Sequence, residues 1–189
     1  MIKAFAVIAL ALLLQGCAGV VMVGAVGGAK MVNDERSMST QLSDTNADFE
    51  IINALSQHED IKQQTNITGV VMNNNVLMIG QSPSSVLRDK AVNVVQELNI
   101  GGKLHNQIRI GNPTSFTTRS NDTWITTKVK TRMLNNKELD VTRIKVVTEN
   151  GEVFLLGLVS QQQADLAVDV ARNTSGVRRV IKVFEYIES

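Results

Sequence analysis

The run Val76-Leu77-Met78-Ile79-Gly80 returns as Val153-Phe154-Leu155-Leu156-Gly157, and Ala91-Val92-Asn93-Val94 returns as Ala167-Val168-Asp169-Val170. A Gly closes the next segment each time, at Gly101-Gly102 and at Gly176. The offset between copies drifts from 77 to 76 to 75 along the chain, as it does when only loops change length. Two copies of so long a period cannot build a solenoid, so each copy reads as a small domain with its own core.

Both copies show one order of elements. A helical stretch opens each, over 47–55 and 123–134, with Asn121-Asp122 as cap candidates for the second. A β-rich run follows, at 67–72 and 144–148, and then turn residues, Asn73-Asn74-Asn75 and Glu149-Asn150-Gly151. Asn-Gly between two apolar runs is a strong hairpin signal. A second strand over 76–81 and 152–158, a helix over 84–98 and 161–174, and a last strand over 103–110 and 177–187 complete the unit. The order αββαβ predicts an α+β fold. Each copy is a three-stranded mixed sheet covered on one face by two helices.

The amino terminus constrains location. One positive charge, Lys3, precedes an unbroken apolar segment from Ala4 to Leu14, and Leu14-Gln15-Gly16-Cys17 follows. This is the layout of a secretory signal, too short to span a bilayer. A plain signal peptide prefers Ala-x-Ala before its cut, and an uncleaved span would carry Gly16, Gly19, Gly24, Gly27 and Gly28, each costing up to about 1 kcal/mol of helix propensity. The segment instead resembles the bacterial lipobox. That resemblance implies that the Cys17 thiol is lipidated (palmitate being one acyl chain), that residues 1–16 are removed, and that 17–43 form a lipidated tether. Three acyl chains anchor far more firmly than the single chain that binds reversibly. By resemblance to enterobacterial lipoproteins, Ala18 rather than Asp after the cysteine implies export to the outer membrane over retention in the inner one.

Charge and motifs exclude several classes. Without Lys3, 18 basic side chains face 18 acidic ones, which argues against nucleic acid as a partner. The single cysteine rules out a disulfide framework. His58 and His105 lack partners at metal-ligand spacing, and Glu59-Asp60 reads as solvated loop charge. No nucleophile elbow, P-loop or dinucleotide fingerprint is present. The expectation is a protein without catalytic residues, metal or cofactor.

The first helix of the second copy carries the one unusual face. With Trp124 at zero and about 100° per residue, Ile125, Val129 and Met133 fall at about 100°, about 140° and about 180°, a core arc. Lys128 lies at about 40°, Thr131 at about 340°, Thr127 at about 300°, Leu134 at about 280° and Lys130 at about 240°. The only tryptophan thus shares an outward face with a leucine, two threonines and lysines. Trp favours the headgroup level of a membrane, and lysines near an anionic surface gain about 1 kcal/mol each. Residues 119–189 hold 11 basic and 9 acidic side chains, against 5 and 7 in 44–112, so the second copy is the one suited to such a surface. A structural Trp packed at its own domain's edge or against the first copy, and a protein-docking patch, are open alternatives.

The unit of helix, strand, Asn-Gly turn, apolar strand ending in Gly, helix, Gly-Val and strand is similar to the BON domain of bacterial osmotic-stress and nodulation proteins. The likeness is closest in Ser120-Asn121-Asp122-Thr123-Trp124-Ile125-Thr126-Thr127-Lys128-Val129 and in Thr148-Glu149-Asn150-Gly151-Glu152-Val153-Phe154-Leu155. Two copies behind a lipobox resemble dual-BON outer-membrane lipoproteins over residues 1–188. The resemblance places one domain at 44–112, a linker at 113–119 and a second domain at 120–189. It implies anionic phospholipid (phosphatidylglycerol or cardiolipin) as ligand, the barrel-assembly machinery as a protein partner, a role in envelope integrity and cell division, and a periplasm-facing location that includes the division site. The implied phospholipid site is Trp124, Leu134, Lys128, Thr127, Thr131 and Lys130.

Lipidation has a direct test. The membrane-extracted protein should show an intact mass that starts at Cys17 and includes acyl chains, and Cys17→Ser should leave a soluble or uncleaved form. An extracted chain that still begins at Met1 contradicts it.

Overall fold

The computed structural model describes residues 38–187; Cys17 and most of the tether lie outside them. Helix α1 (Met38–Ser56) and a short α2 (Glu59–Gln64) lead into β1 (Asn66–Met72) and β2 (Asn75–Ser82), then α3 (Ser85–Gln96) and β3 (Leu104–Ile110). The second copy follows as α4 (Phe116–Leu134), a 3-10 turn (Val141–Arg143), β4 (Ile144–Glu149), β5 (Glu152–Val159), α5 (Gln161–Arg172) and β6 (Arg179–Tyr186). Each sheet is mixed, with an antiparallel hairpin and a parallel third strand, in the orders β1-β2-β3 and β4-β5-β6.

Three local expectations are corrected. Both opening helices start earlier than their apolar periods suggest, α1 inside the expected tether and α4 inside the expected linker, because their first turns hold no residue of the repeating core arc. Ser115, whose hydroxyl accepts from the Thr118 amide, caps α4. Asp122 is no cap but a buried mid-helix residue. Glu59 and Asp60 open α2 instead of lying in a loop, and Asp60 pins α2 to α3 through Lys90 at 2.7 Å.

The buried Asp122 has a twin. Its carboxylate accepts from the amides of Asn150 and Gly151, each at 2.7 Å, while Asp44 of α1 accepts from Asn73 at 2.7 Å and Asn74 at 3.0 Å. These four residues have φ between 49° and 71°, the paired left-handed conformation of a type I′ turn. Such a turn leaves two amides pointing together, and the carboxylate satisfies both. Each hairpin is thereby tied to its opening helix. The repeated strand Gly also has a reason. A Cβ on Gly80 would lie 1.8 Å from the Asn66 carbonyl oxygen, and one on Gly157 would lie 2.1 Å from that of Arg143.

Each copy has a helix-to-sheet core. Ile51, Leu55, Val71, Met78 and Val95 fill the first; Ile125, Val129, Met133, Val153 and Leu155 fill the second. A third cluster joins the copies. Met72, Leu77 and Ile79 meet Phe154 and Leu156, all at most 5% exposed, with Val147, Ile181 and Val183 around them. Alternate residues of β2 and β5 therefore face the copy's own helices and the other sheet. The sheet faces left bare by the helices cover each other, and the chain stacks as helix, sheet, sheet, helix. The expectation of a two-layer unit describes each copy but omits this packing.

Polar groups ring the joined sheets. The Lys145 ammonium reaches Asp48 at 3.0 Å and the Val71 carbonyl at 2.9 Å. Glu152 pairs with Arg109 of the other copy at 3.0 Å and with Arg179. Gln81 donates to Glu149 at 2.7 Å and accepts from the Thr114 amide at 3.1 Å. Burial opposes ionisation of Glu152, but hydrogen bonds and charge from Arg109 and Arg179 outweigh it and hold that carboxyl below its usual range. Burial pushes Glu149 the other way, above its ordinary 4.5, against the Gln81 hydrogen bond.

The joined sheets can be tested in two ways. Phe154→Ala should cost about 3–5 kcal/mol and lower the denaturant midpoint of both copies in one transition; separate transitions with the first copy unmoved would contradict shared packing. Glu149 holds its proton more tightly when folded, so its contribution is present in acid and lost as pH rises from 4.5 through its raised folded value. Glu149→Gln should therefore flatten the decline of stability with pH across that window, as read by denaturant melts at successive pH values. An unchanged slope would contradict the assignment.

Candidate membrane-facing site

Helix α4 buries one side and bares the other. Asp122, Ile125, Val129 and Met133 are buried, so tertiary packing fixes the rotation of the helix about its axis. Trp124 is 62% exposed and Leu134 65% exposed on the opposite side. Thr127, Thr131 and Lys130 are exposed with them. Sequence reasoning missed Phe116, which is 78% exposed in the first turn. It falls at about 280° on the same helical count, in line with Leu134. The sequence signal is a Ser cap before an aromatic, Ser115-Phe116, which lies inside the expected linker. Three large apolar side chains thus run along one edge of a 19-residue helix, which is roughly 28 Å long.

The basic residues divide into two kinds. Lys128 is half-buried and its ammonium donates to the Ser175 carbonyl at 2.6 Å; Arg132 donates to the Asn173 carbonyl at 3.0 Å. Both satisfy carbonyls just beyond the C-terminal end of α5, where cations are favoured. Lys128 is thus engaged within the fold rather than held open toward a headgroup. Lys130 takes part in no ion pair among the described residues and projects from the exposed side. The Thr127 hydroxyl turns back to the Thr123 carbonyl at 3.0 Å, which leaves its methyl group as the outward surface.

The opening helix of the first copy also presents apolar side chains. Leu42, Phe49 and Ile52 are between 53% and 62% exposed and share an arc of about 80°. The charges differ sharply. Helix α1 contains Asp44, Asp48 and Glu50 and no basic residue. Helix α4 contains Arg119, Lys128, Lys130 and Arg132 against Asp122 alone. An anionic surface would attract α4 and repel α1.

With the repeated αββαβ unit established, the family can be assigned. Residues 43–112 and 121–188 each match the BON domain. The chain belongs to the BON-domain family. This dual-BON chain is 39% identical over 175 residues to the outer membrane lipoprotein DolP of Haemophilus influenzae, a match spanning 93% of this chain and 91% of that protein. It is 40% identical over 155 residues to a 21 kDa hemolysin of Actinobacillus pleuropneumoniae, spanning 82% and 80%. A more distant relative, the osmotically-inducible protein Y of Escherichia coli K12, is 27% identical over 158 residues, spanning 81% and 77%. The dual-BON chain is thus a DolP-like protein.

Proposed function

We propose that this DolP-like chain is a non-enzymatic outer-membrane lipoprotein that rests helix α4 of its second BON domain on anionic phospholipid and thereby supports envelope integrity. Similarity to an outer-membrane lipoprotein along nearly the whole chain supports the class and the location. The relatives carry names of a lipoprotein and a hemolysin, not of enzymes. Phospholipid contact rests on one observation: the exposed line of Phe116, Trp124 and Leu134 lies on a helix with an excess of basic residues.

The physical logic is additive. Apolar side chains that enter the acyl boundary gain about 25 cal/mol per Å2 of surface removed from water. The Trp124 ring is half apolar and its N–H finds water or phosphate at headgroup level. Lys130 adds attraction to an anionic headgroup, while Lys128 contributes to the long-range field despite its internal hydrogen bond. A tether through Cys17 would raise the local concentration of the domain at the bilayer, so even weak contact is productive. The interface needs no catalytic group. The protein then acts by occupancy, facing the periplasm at sites rich in phosphatidylglycerol or cardiolipin, such as a division site.

A mature chain starting at Ala18, without acyl groups, should sediment with vesicles containing phosphatidylglycerol but not with purely zwitterionic ones. Its only tryptophan should shift to the blue, and salt should weaken binding. Trp124→Glu should abolish binding while changing stability by no more than about 0.5 kcal/mol; Val129→Glu should unfold the protein. No shift with either lipid, together with crosslinking from position 124 to an envelope protein such as the barrel-assembly machinery, would replace lipid contact with an adaptor role.

A further inference from the structure

We propose that the groove between α4 and the edge strand β4 receives one acyl chain of an anionic phospholipid, with Lys130 holding its phosphate at the rim. The inference rests on the membrane reading of α4 and gives it a specific lipid pocket. The groove encloses about 220 Å3 and is lined by Met133, Leu134, Val141, Ile144, Val146 and Lys130. Five of these are apolar and the sixth is a cation. Met133, Ile144 and Val146 are buried core residues that form a fixed floor. Leu134 and Lys130 are exposed and stand at the lip.

This polarity matches an amphiphile. A hydrocarbon chain needs a mainly apolar slot, and five apolar side chains line this one. A lipid phosphate needs a positive donor at the mouth. Lys130 fits because no ion pair engages it among the described residues. The groove also opens toward the membrane-facing line, since Leu134 belongs to both. A lipid whose headgroup meets α4 could pass one chain around Leu134 without leaving the interface.

The first copy supplies an internal comparison. Buried residues of α1 and α4 correspond at an offset of 78, as Asp44 with Asp122, Ile51 with Val129 and Leu55 with Met133. A corresponding groove of about 270 Å3 lies beside β1, lined by Ile52, Leu55, Ile61 and Ile67 among others. At the same offset Ile52 stands where the second copy has Lys130. The cation that does line the first groove, Lys62, lies 3.9 Å from Glu59. The first copy thus offers a similar slot without a free positive charge at its lip.

The test uses the mature chain from Ala18 and dihexanoyl phosphatidylglycerol below its micelle-forming concentration. Methyl resonances of Met133, Val141, Ile144 and Val146 should shift and saturate, whereas glycerophosphoglycerol, the headgroup without chains, should leave them unmoved. Lys130→Glu should weaken this binding on the order of tenfold. Val141→Phe, which fills the groove, should abolish it while vesicle sedimentation through Trp124 persists. Still methyls in the presence of intact, Trp124-dependent vesicle binding would overturn the groove and spare the membrane reading. Equal shifts with the headgroup alone would also overturn it. Loss of both signals would overturn both readings.

Discussion

The structure depends on the burial of two bare sheet faces against each other. A three-stranded sheet with helices on one side leaves a second apolar face, and a domain of about 70 residues has little core to spare. Leu77, Ile79, Phe154 and Leu156 each lie at most 2% exposed in the joint. Complete burial of such a side chain contributes about 1.5–3 kcal/mol, so the joint is comparable in scale with the net stability of an ordinary domain. The duplication of the unit is therefore structural before it is functional. One copy alone would expose the strip that the other covers.

Within this frame, the two copies keep the same clamp and differ in what they show to solvent. Asp44 and Asp122 each bind two turn amides and hold helix to hairpin. Removing either carboxylate would strand two backbone donors, which cost roughly 1–3 kcal/mol each when buried. The outward faces carry no such obligation and have diverged. Phe49 and Ile52 on α1 face solvent beside acidic residues, whereas Trp124 and Leu134 on α4 do so beside lysines.

Much of this was legible from residue order. The repeat, the Asn-Gly turn and the 3.6-residue arc of Ile125, Val129 and Met133 specified the αββαβ unit and the rotation of α4. The sheet-to-sheet joint was written as well, in Val76-Leu77-Met78-Ile79 and Val153-Phe154-Leu155-Leu156. An unbroken apolar run denotes a strand buried on both faces, where alternation denotes one open face. The early starts of α1 and α4 were not legible from periodicity, because their first turns hold no core residue; at α4 the mark is Ser115 before Phe116. Lys128 looked like a free cation because its partner, the Ser175 carbonyl, lies 47 residues away. Contacts of that span have no local signature.

The opposed outer helices give the folded body a polarity. Helix α1 holds three carboxylates and no cation, while α4 holds four cations and one carboxylate, and the stacked sheets keep them on opposite outer layers. Such a body behaves as an electric dipole. Near an anionic bilayer, within a Debye length of about 8 Å at physiological salt, it experiences a torque as well as an attraction. In the proposed membrane contact, this torque would turn α4 toward the lipid before any side chain touches it. Orientation in that contact would then precede adhesion, and the folded body would supply its own guidance to the surface.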